Sequence, residues 1–159
     1  MIATNRRRAW LGVLLGLSAV GRAAAGEPAI QVLDAWARAT PPGAENGAVY
    51  LKIVNHGAAD RLVGARSPAA HAAELHASAT RDGVVAMRRI DALPIDAGAI
   101  VELAPGGAHV MLVGLVSRLE AGRRVGLTLV FANAGELAVD APVVDARGPA
   151  AAPHEHRAP

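Results

Sequence analysis

Residues 99–115 read AIVELAPGGAHVMLVGL: two β-rich runs, AIVEL (99–103) and HVMLVGL (109–115), flank the turn Pro105-Gly106-Gly107. Proline presets a turn and glycine accepts the backbone angles a turn demands, so the stretch predicts strand, reversal, strand. The pattern recurs on both sides. Upstream lie IQVLDAWAR (30–38), AVYLKIV (48–54), RLVGAR (61–66) and VVAMRRI (84–90), and downstream RVGLTLVF (124–131) and ELAVDAPVV (136–144). NHG at 55–57, RDG at 81–83, DAG at 96–98, EAG at 120–122 and NAG at 133–135 punctuate them. Such spacing predicts an all-β chain, an antiparallel sandwich or barrel. The segment SPAAHAAELHASA (67–79) is ambiguous, because its alanines favour helix, and residues 73–79 are assigned to a strand.

At 159 residues the chain suits a single domain with a real core. Hydrophobic residues make up 52% but aromatics only 3%, so Ala, Val and Leu must fill the space that rings usually occupy. The start reads as an export signal: Arg6, Arg7 and Arg8 form a basic n-region, Ala9 to Val20 an apolar run, and Ala23, Ala24 and Ala25 a small-residue cleavage site. That apolar run is well short of the roughly 20 residues of a spanning helix. Residues 1–25 are therefore read as a cleaved signal peptide in preference to a retained anchor, and the remainder as periplasmic, without stable membrane insertion. Arg7 and Arg8 before Ala9, Trp10 and Leu11 faintly resemble a twin-arginine signal, which consecutive arginines in any n-region also do.

Four arginines leave with the signal, so 12 basic residues face 14 acidic ones in the remainder, a net charge near −2. The basic pI of the whole sequence is thus no nucleic-acid footprint. Residues 26–147 are expected to form the domain. The tail GPAAAPHEHRAP (148–159) has almost nothing to bury and is expected to be disordered. Its His154 and His156 would offer Cu(II) a weak site, and a plain solvated end is the favoured reading.

The chain has no cysteine, so a soft metal would have to be held by Met and His. After Met1 there are two methionines, Met87 and Met111. Met111 follows His109 by two residues in a strand, which puts both on one face while Val110 and Leu112 point to the other. His76 and Met87 are separated by ten residues that include the RDG turn, which suits two strands of a hairpin, with His76 facing away from Leu75. Thioether sulfur is neutral and soft and imidazole is borderline, so His76, Met87, His109 and Met111 together favour Cu(I) over zinc or hard cations. Four neutral ligands leave no open position for a substrate.

These residues resemble the periplasmic copper chaperones associated with loading the CuA centre of cytochrome c oxidase, the PCu(A)C family, whose motif is H-x10-M-x21-H-x-M. His76, Met87, His109 and Met111 reproduce that spacing without a gap. The similarity extends through DAWARATPPG (34–43), AVYLKIVNHGAADRLVGARSP (48–68), ELH (74–76), VELAPGGAHVML (101–112) and LTLVFANAGEL (127–137). The resemblance implies a cupredoxin-like Greek-key fold and a monomeric, non-enzymatic Cu(I) carrier. Its partner would be the copper-bearing oxidase subunit or a copper-relay assembly protein. A copper scavenger without a dedicated recipient would use the same site. Ala77, Ser78, Ala108 and Val113 stand where many relatives carry extra methionines or an aromatic, which implies altered shielding of the ion.

A lone Met in a strand is ordinarily core filler, and a lone His is ordinarily a surface residue. That reading is kept for His56 in the NHG turn and for His71, while Trp36 and Tyr50 are assigned to the core or the sheet's flank without chemistry.

Overall fold

Alternating side chains and frequent turns produce ten strands and, among the described residues, no helix. The computed structural model describes residues 29–81 and 84–145, with backbone alone at 80, 81 and 85. The proposed signal peptide and the His-containing tail lie outside the described residues. The strands are β1 Ile30–Arg38, β2 Asn46–Asn55, β3 Asp60–Arg66, β4 Ala70–Arg81, β5 Val84–Arg89, β6 Leu93–Ile95, β7 Ile100–Leu103, β8 Ala108–Leu115, β9 Arg124–Phe131 and β10 Gly135–Val144.

Seven of them close into a barrel in the order β4, β8, β2, β1, β10, β9, β3, with β3 returning to β4 through the pair Ala65 and Ala73. β5 extends β4, β6 extends β3, and β7 pairs with β2. Every pairing is antiparallel except β1 with β10, where Ala37 meets Val143 and Arg38 meets Val144. Strands adjacent in space but distant in sequence, such as β8 between β2 and β4, give the Greek-key interleaving that the family resemblance implies.

The interior is aliphatic, as the shortage of rings requires. Val49, Leu51 and Ile53 from β2 meet Val110 and Leu112 from β8, Leu75 from β4, and Leu127, Leu129 and Phe131 from β9. Each fully buried side chain of this size contributes about 1.5–3 kcal/mol. The alanine-rich segment resolves as strand because Leu75 finds this core by period-2 alternation, which outweighs the weak helix preference of its neighbours. The three-residue β6 escapes a sequence reading because Pro94 sits at its centre, tolerated there since β6 lies at the edge of the sheet.

Two buried polar side chains tie the turns to the barrel. The Asn55 amide donates to the carbonyls of Ala58 at 2.8 Å and Asp96 at 3.0 Å, and its oxygen accepts from the Gly57 N–H at 2.9 Å. The Asp60 carboxylate accepts from the N–H groups of Arg61 at 2.7 Å, Asn133 at 2.9 Å and Ala134 at 2.9 Å, fixing the turn between β9 and β10.

One irregularity positions the candidate site. In β1, Val32 pairs with Ile53 and Ala37 with Val49, so the core-facing parity changes from even to odd across a bulge between Leu33 and Trp36. Asp34 takes the left-handed conformation within it, at φ 51°. Without that extra residue Trp36 would point into the barrel. With it, Trp36 stands on the outer face beside Tyr50.

Candidate metal centre on the outer sheet face

Strand register brings the four sequence-predicted residues to one face. Across β4 and β8, His76 is directly opposite His109, and Glu74 opposite Met111. The intervening pair Leu75 and Val110 points into the core. Across β4 and β5, Met87 pairs with Ser78, two residues from His76 and therefore on the same face. This makes Met87 the diagonal neighbour of His76, a relationship that spans about 7–8 Å between backbones and is within reach of a long side chain. The donors differ sharply in exposure: His109 is 5% exposed and Met87 55%.

A row of rings crosses the sheet at the level of the histidines. Trp36 of β1 packs on Tyr50 of β2 with centroids 4.5 Å apart. Tyr50 is 6.2 Å from His109, and His109 is 5.9 Å from His76. The Arg38 guanidinium lies 5.7 Å over the Tyr50 ring. Trp36 and Tyr50 thus belong to the flank, and they wall off one side of His109.

The hydrogen-bond partners assign the ring nitrogens. His109 Nδ1–H donates to the Gly107 carbonyl at 3.1 Å, leaving its lone pair on Nε2. The same carbonyl accepts the Ser78 N–H at 3.0 Å, so the Pro-Gly-Gly turn both locks β4 and orients His109. Burial pushes the His109 pKa below its ordinary value, with the charge of His76 adding to the effect and the Gly107 bond partly opposing it.

His76 is arranged the opposite way. Its Nε2–H donates to Glu74 Oε2 at 3.0 Å, because a carboxylate can only accept. Its Nδ1 is buried with no hydrogen-bond partner among the described residues. Glu74 Oε1 accepts from Arg89 at 3.0 Å. The His76 bond holds the Glu74 carboxyl below the usual range against the opposing effect of burial, with Arg89 assisting.

Both histidines therefore keep one lone pair free of protein partners assigned to it, and Met87 and Met111 supply thioethers on the same face. Among the described residues no three His, Asp or Glu side chains come together as a metal-holding group. Glu74 is the participant that the sequence reading did not single out, although its position two residues before His76 places it on the same strand face.

The other histidines stand apart. His71 lies opposite Gly114, on the Leu75 side of the β4 alternation, and Gly114 has φ +66° with open space only because it lacks a Cβ, which would fall 2.8 Å from His71 Cδ2. His56 is exposed in its turn, with Nε2 3.3 Å from the Gln31 side-chain oxygen.

A family model described as "Putative lipoprotein LpqE-like" matches residues 30–143, nearly all of the described barrel. The chain belongs to the LpqE-like family. This LpqE-like chain is 37% identical over 121 residues to "Putative lipoprotein Lxx21020" of Leifsonia xyli subsp. xyli, covering 75% of this chain and 72% of that protein. Among solved structures it is similar to the copper-bound PCuAC domain from PmoF2, with 31% identity, a TM-score of 0.63, and coverage of 74% of this chain and 93% of that one. It is likewise similar to the Cu(I) form of DR1885 from Deinococcus radiodurans, with 31% identity, a TM-score of 0.58, and coverage of 76% and 83%. The PCu(A)C resemblance and the cupredoxin-like fold that it implies are thereby established for this LpqE-like protein.

Proposed function

We propose that this LpqE-like protein is an exported copper chaperone that binds one Cu(I) through His76 Nδ1, His109 Nε2 and the thioethers of Met87 and Met111. The observation that carries the reading is the buried, unpartnered Nδ1 of His76 directly across from His109. A buried acceptor without a partner costs roughly 1–3 kcal/mol, a cost that a bound metal would relieve. The soft, neutral donor set suits Cu(I), and relatives of similar fold are a copper-bound PCuAC domain and a Cu(I)-loaded protein.

The exposure gradient suits delivery. His109 is held beneath the aromatic wall while Met87 stands in solvent on the edge strand β5, so an acceptor would first replace Met87 and then draw the ion away from the imidazoles. The recipient proposed is the CuA-bearing subunit of cytochrome c oxidase or a copper-relay assembly protein. Residues 1–25 would direct export to the periplasm. Residues 1–159 contain no cysteine, so none offers the thiol on which a lipoprotein carries its lipid.

Incubating the Cu(I)-loaded protein with an apo CuA-bearing domain tests the delivery step. Appearance of the CuA absorption bands, dependent on loaded protein, is the expected result. Retention of all copper would oppose delivery and favour a scavenger.

A further inference from the structure

We infer that Glu74 is the positioning residue of the metal centre: by holding the Nε2 proton of His76 it presents Nδ1 as the donor, so the two histidines bind through opposite ring nitrogens. The inference rests on the copper reading above and adds the partner that orients one ligand. Glu74 and His76 are two residues apart on one face of β4, directly opposite Met111 and His109. Both carboxylate oxygens are engaged, one by His76 Nε2–H and one by Arg89, each at 3.0 Å. Arg89 is itself opposite His76 across β4 and β5, so the carboxylate is held from both sides.

An exposed Glu–Arg pair alone would carry little meaning. Here the Glu74 side chain is only 24% exposed, and its second oxygen binds an imidazole whose other nitrogen is buried and bare. A carboxylate on the far nitrogen fixes the tautomer, prevents the ring from turning over and makes the ligating nitrogen more electron-rich. His109 reaches the same end by another route, donating Nδ1–H to the Gly107 carbonyl and keeping Nε2 free. An acidic side chain holds one ligand and a turn carbonyl the other. Replacing Glu74 therefore disturbs one histidine and leaves its partner in place.

Long-range proton–nitrogen correlation spectra of the labelled protein, apo and Cu(I)-loaded, together with competitive Cu(I) titration, test this for wild type, Glu74→Gln and Glu74→Ala. Wild type is expected to keep the His76 proton on Nε2 when apo and to carry copper on Nδ1 when loaded, with His109 coordinated through Nε2. Glu74→Gln, whose amide oxygen accepts the same N–H, should preserve that pattern. Glu74→Ala should lose the single His76 pattern and weaken copper binding by about 10–100-fold, as losses of outer-shell partners do, while His109 keeps its pattern. Coordination of wild-type His76 through Nε2, or a Glu74→Ala protein with unchanged His76 spectra and affinity, would overturn the inference. If wild type takes up no copper, the functional reading falls. The apo spectra then decide Glu74 alone: a single His76 tautomer lost only in the Ala variant supports its positioning role, and no difference ends it.

Discussion

His76 and His109 face each other directly across β4 and β8, with ring centroids 5.9 Å apart, and each has one nitrogen tied to a different kind of acceptor. The pairing joins residues 33 positions apart in sequence and needs no loop to move, since the backbone register of two central strands sets it. A site built this way should tolerate changes to its donors without loss of fold.

Met111→Leu and Met87→Leu test that separation. Both substitutions keep the apolar volume, and swaps of this kind usually cost less than about 1.5 kcal/mol of stability. Copper binding should fall by at least the roughly 10–100-fold expected for loss of an outer-shell partner. Denaturant melts and chelator competition on the same samples check both halves. The exposed Met87 should be the cheaper of the two for stability.

The His109 imidazole should titrate below its ordinary value of 6.5 in the metal-free protein, because burial disfavours the cation. The folded state then binds fewer protons at this group than the unfolded chain does. Stability from this group is complete above the unfolded pKa and is lost as the pH falls towards the lower folded pKa. Following the His109 ring resonances against pH in apo protein checks the direction, and a midpoint above 6.5 would contradict it.

Asp60 should control acid stability. Burial opposes its charge, but the N–H groups of Arg61, Ala134 and Asn133 hold its carboxyl below the usual range. Its contribution is present above the unfolded carboxylate pKa and disappears as the pH falls through the depressed folded value. Asp60→Asn should therefore be destabilised by about 1–3 kcal/mol at neutral pH, with the gap to wild type closing on acidification. Urea melts at neutral and acid pH measure that gap.

The Asp34 bulge gives a backbone test. Asp34→Gly should be tolerated, because glycine enters the left-handed region freely, whereas Asp34→Val should lose about 1–2 kcal/mol. The valine variant should also shift the aromatic resonances of Trp36 and Tyr50, since the bulge is what brings Trp36 to the outer face.

Much of this was legible in the sequence for identifiable reasons. Two-residue alternation placed His109 and Met111 on the face away from Val110 and Leu112, and Leu75 away from His76, all of which the register reproduces. The strand at 73–79 was legible and longer than expected, because Ala70 and Ala72 continue the ladder to Leu115 and Val113. The parity change in β1 was not legible, since nothing about Asp34 alone announces a bulge, and with it went the place of Trp36 on the outer face beside Tyr50. β6 was hidden by Pro94. Glu74 was readable from its spacing to His76, but its hydrogen bond depends on a side-chain geometry that spacing does not specify.

The most direct test of the central claim is an anaerobic Cu(I) titration against a competing chromophoric chelator, comparing wild type with Met111→Leu and His109→Ala. One equivalent held tightly by wild type and weakly by both folded variants is the result the account predicts. Equal, feeble binding by all three would contradict it.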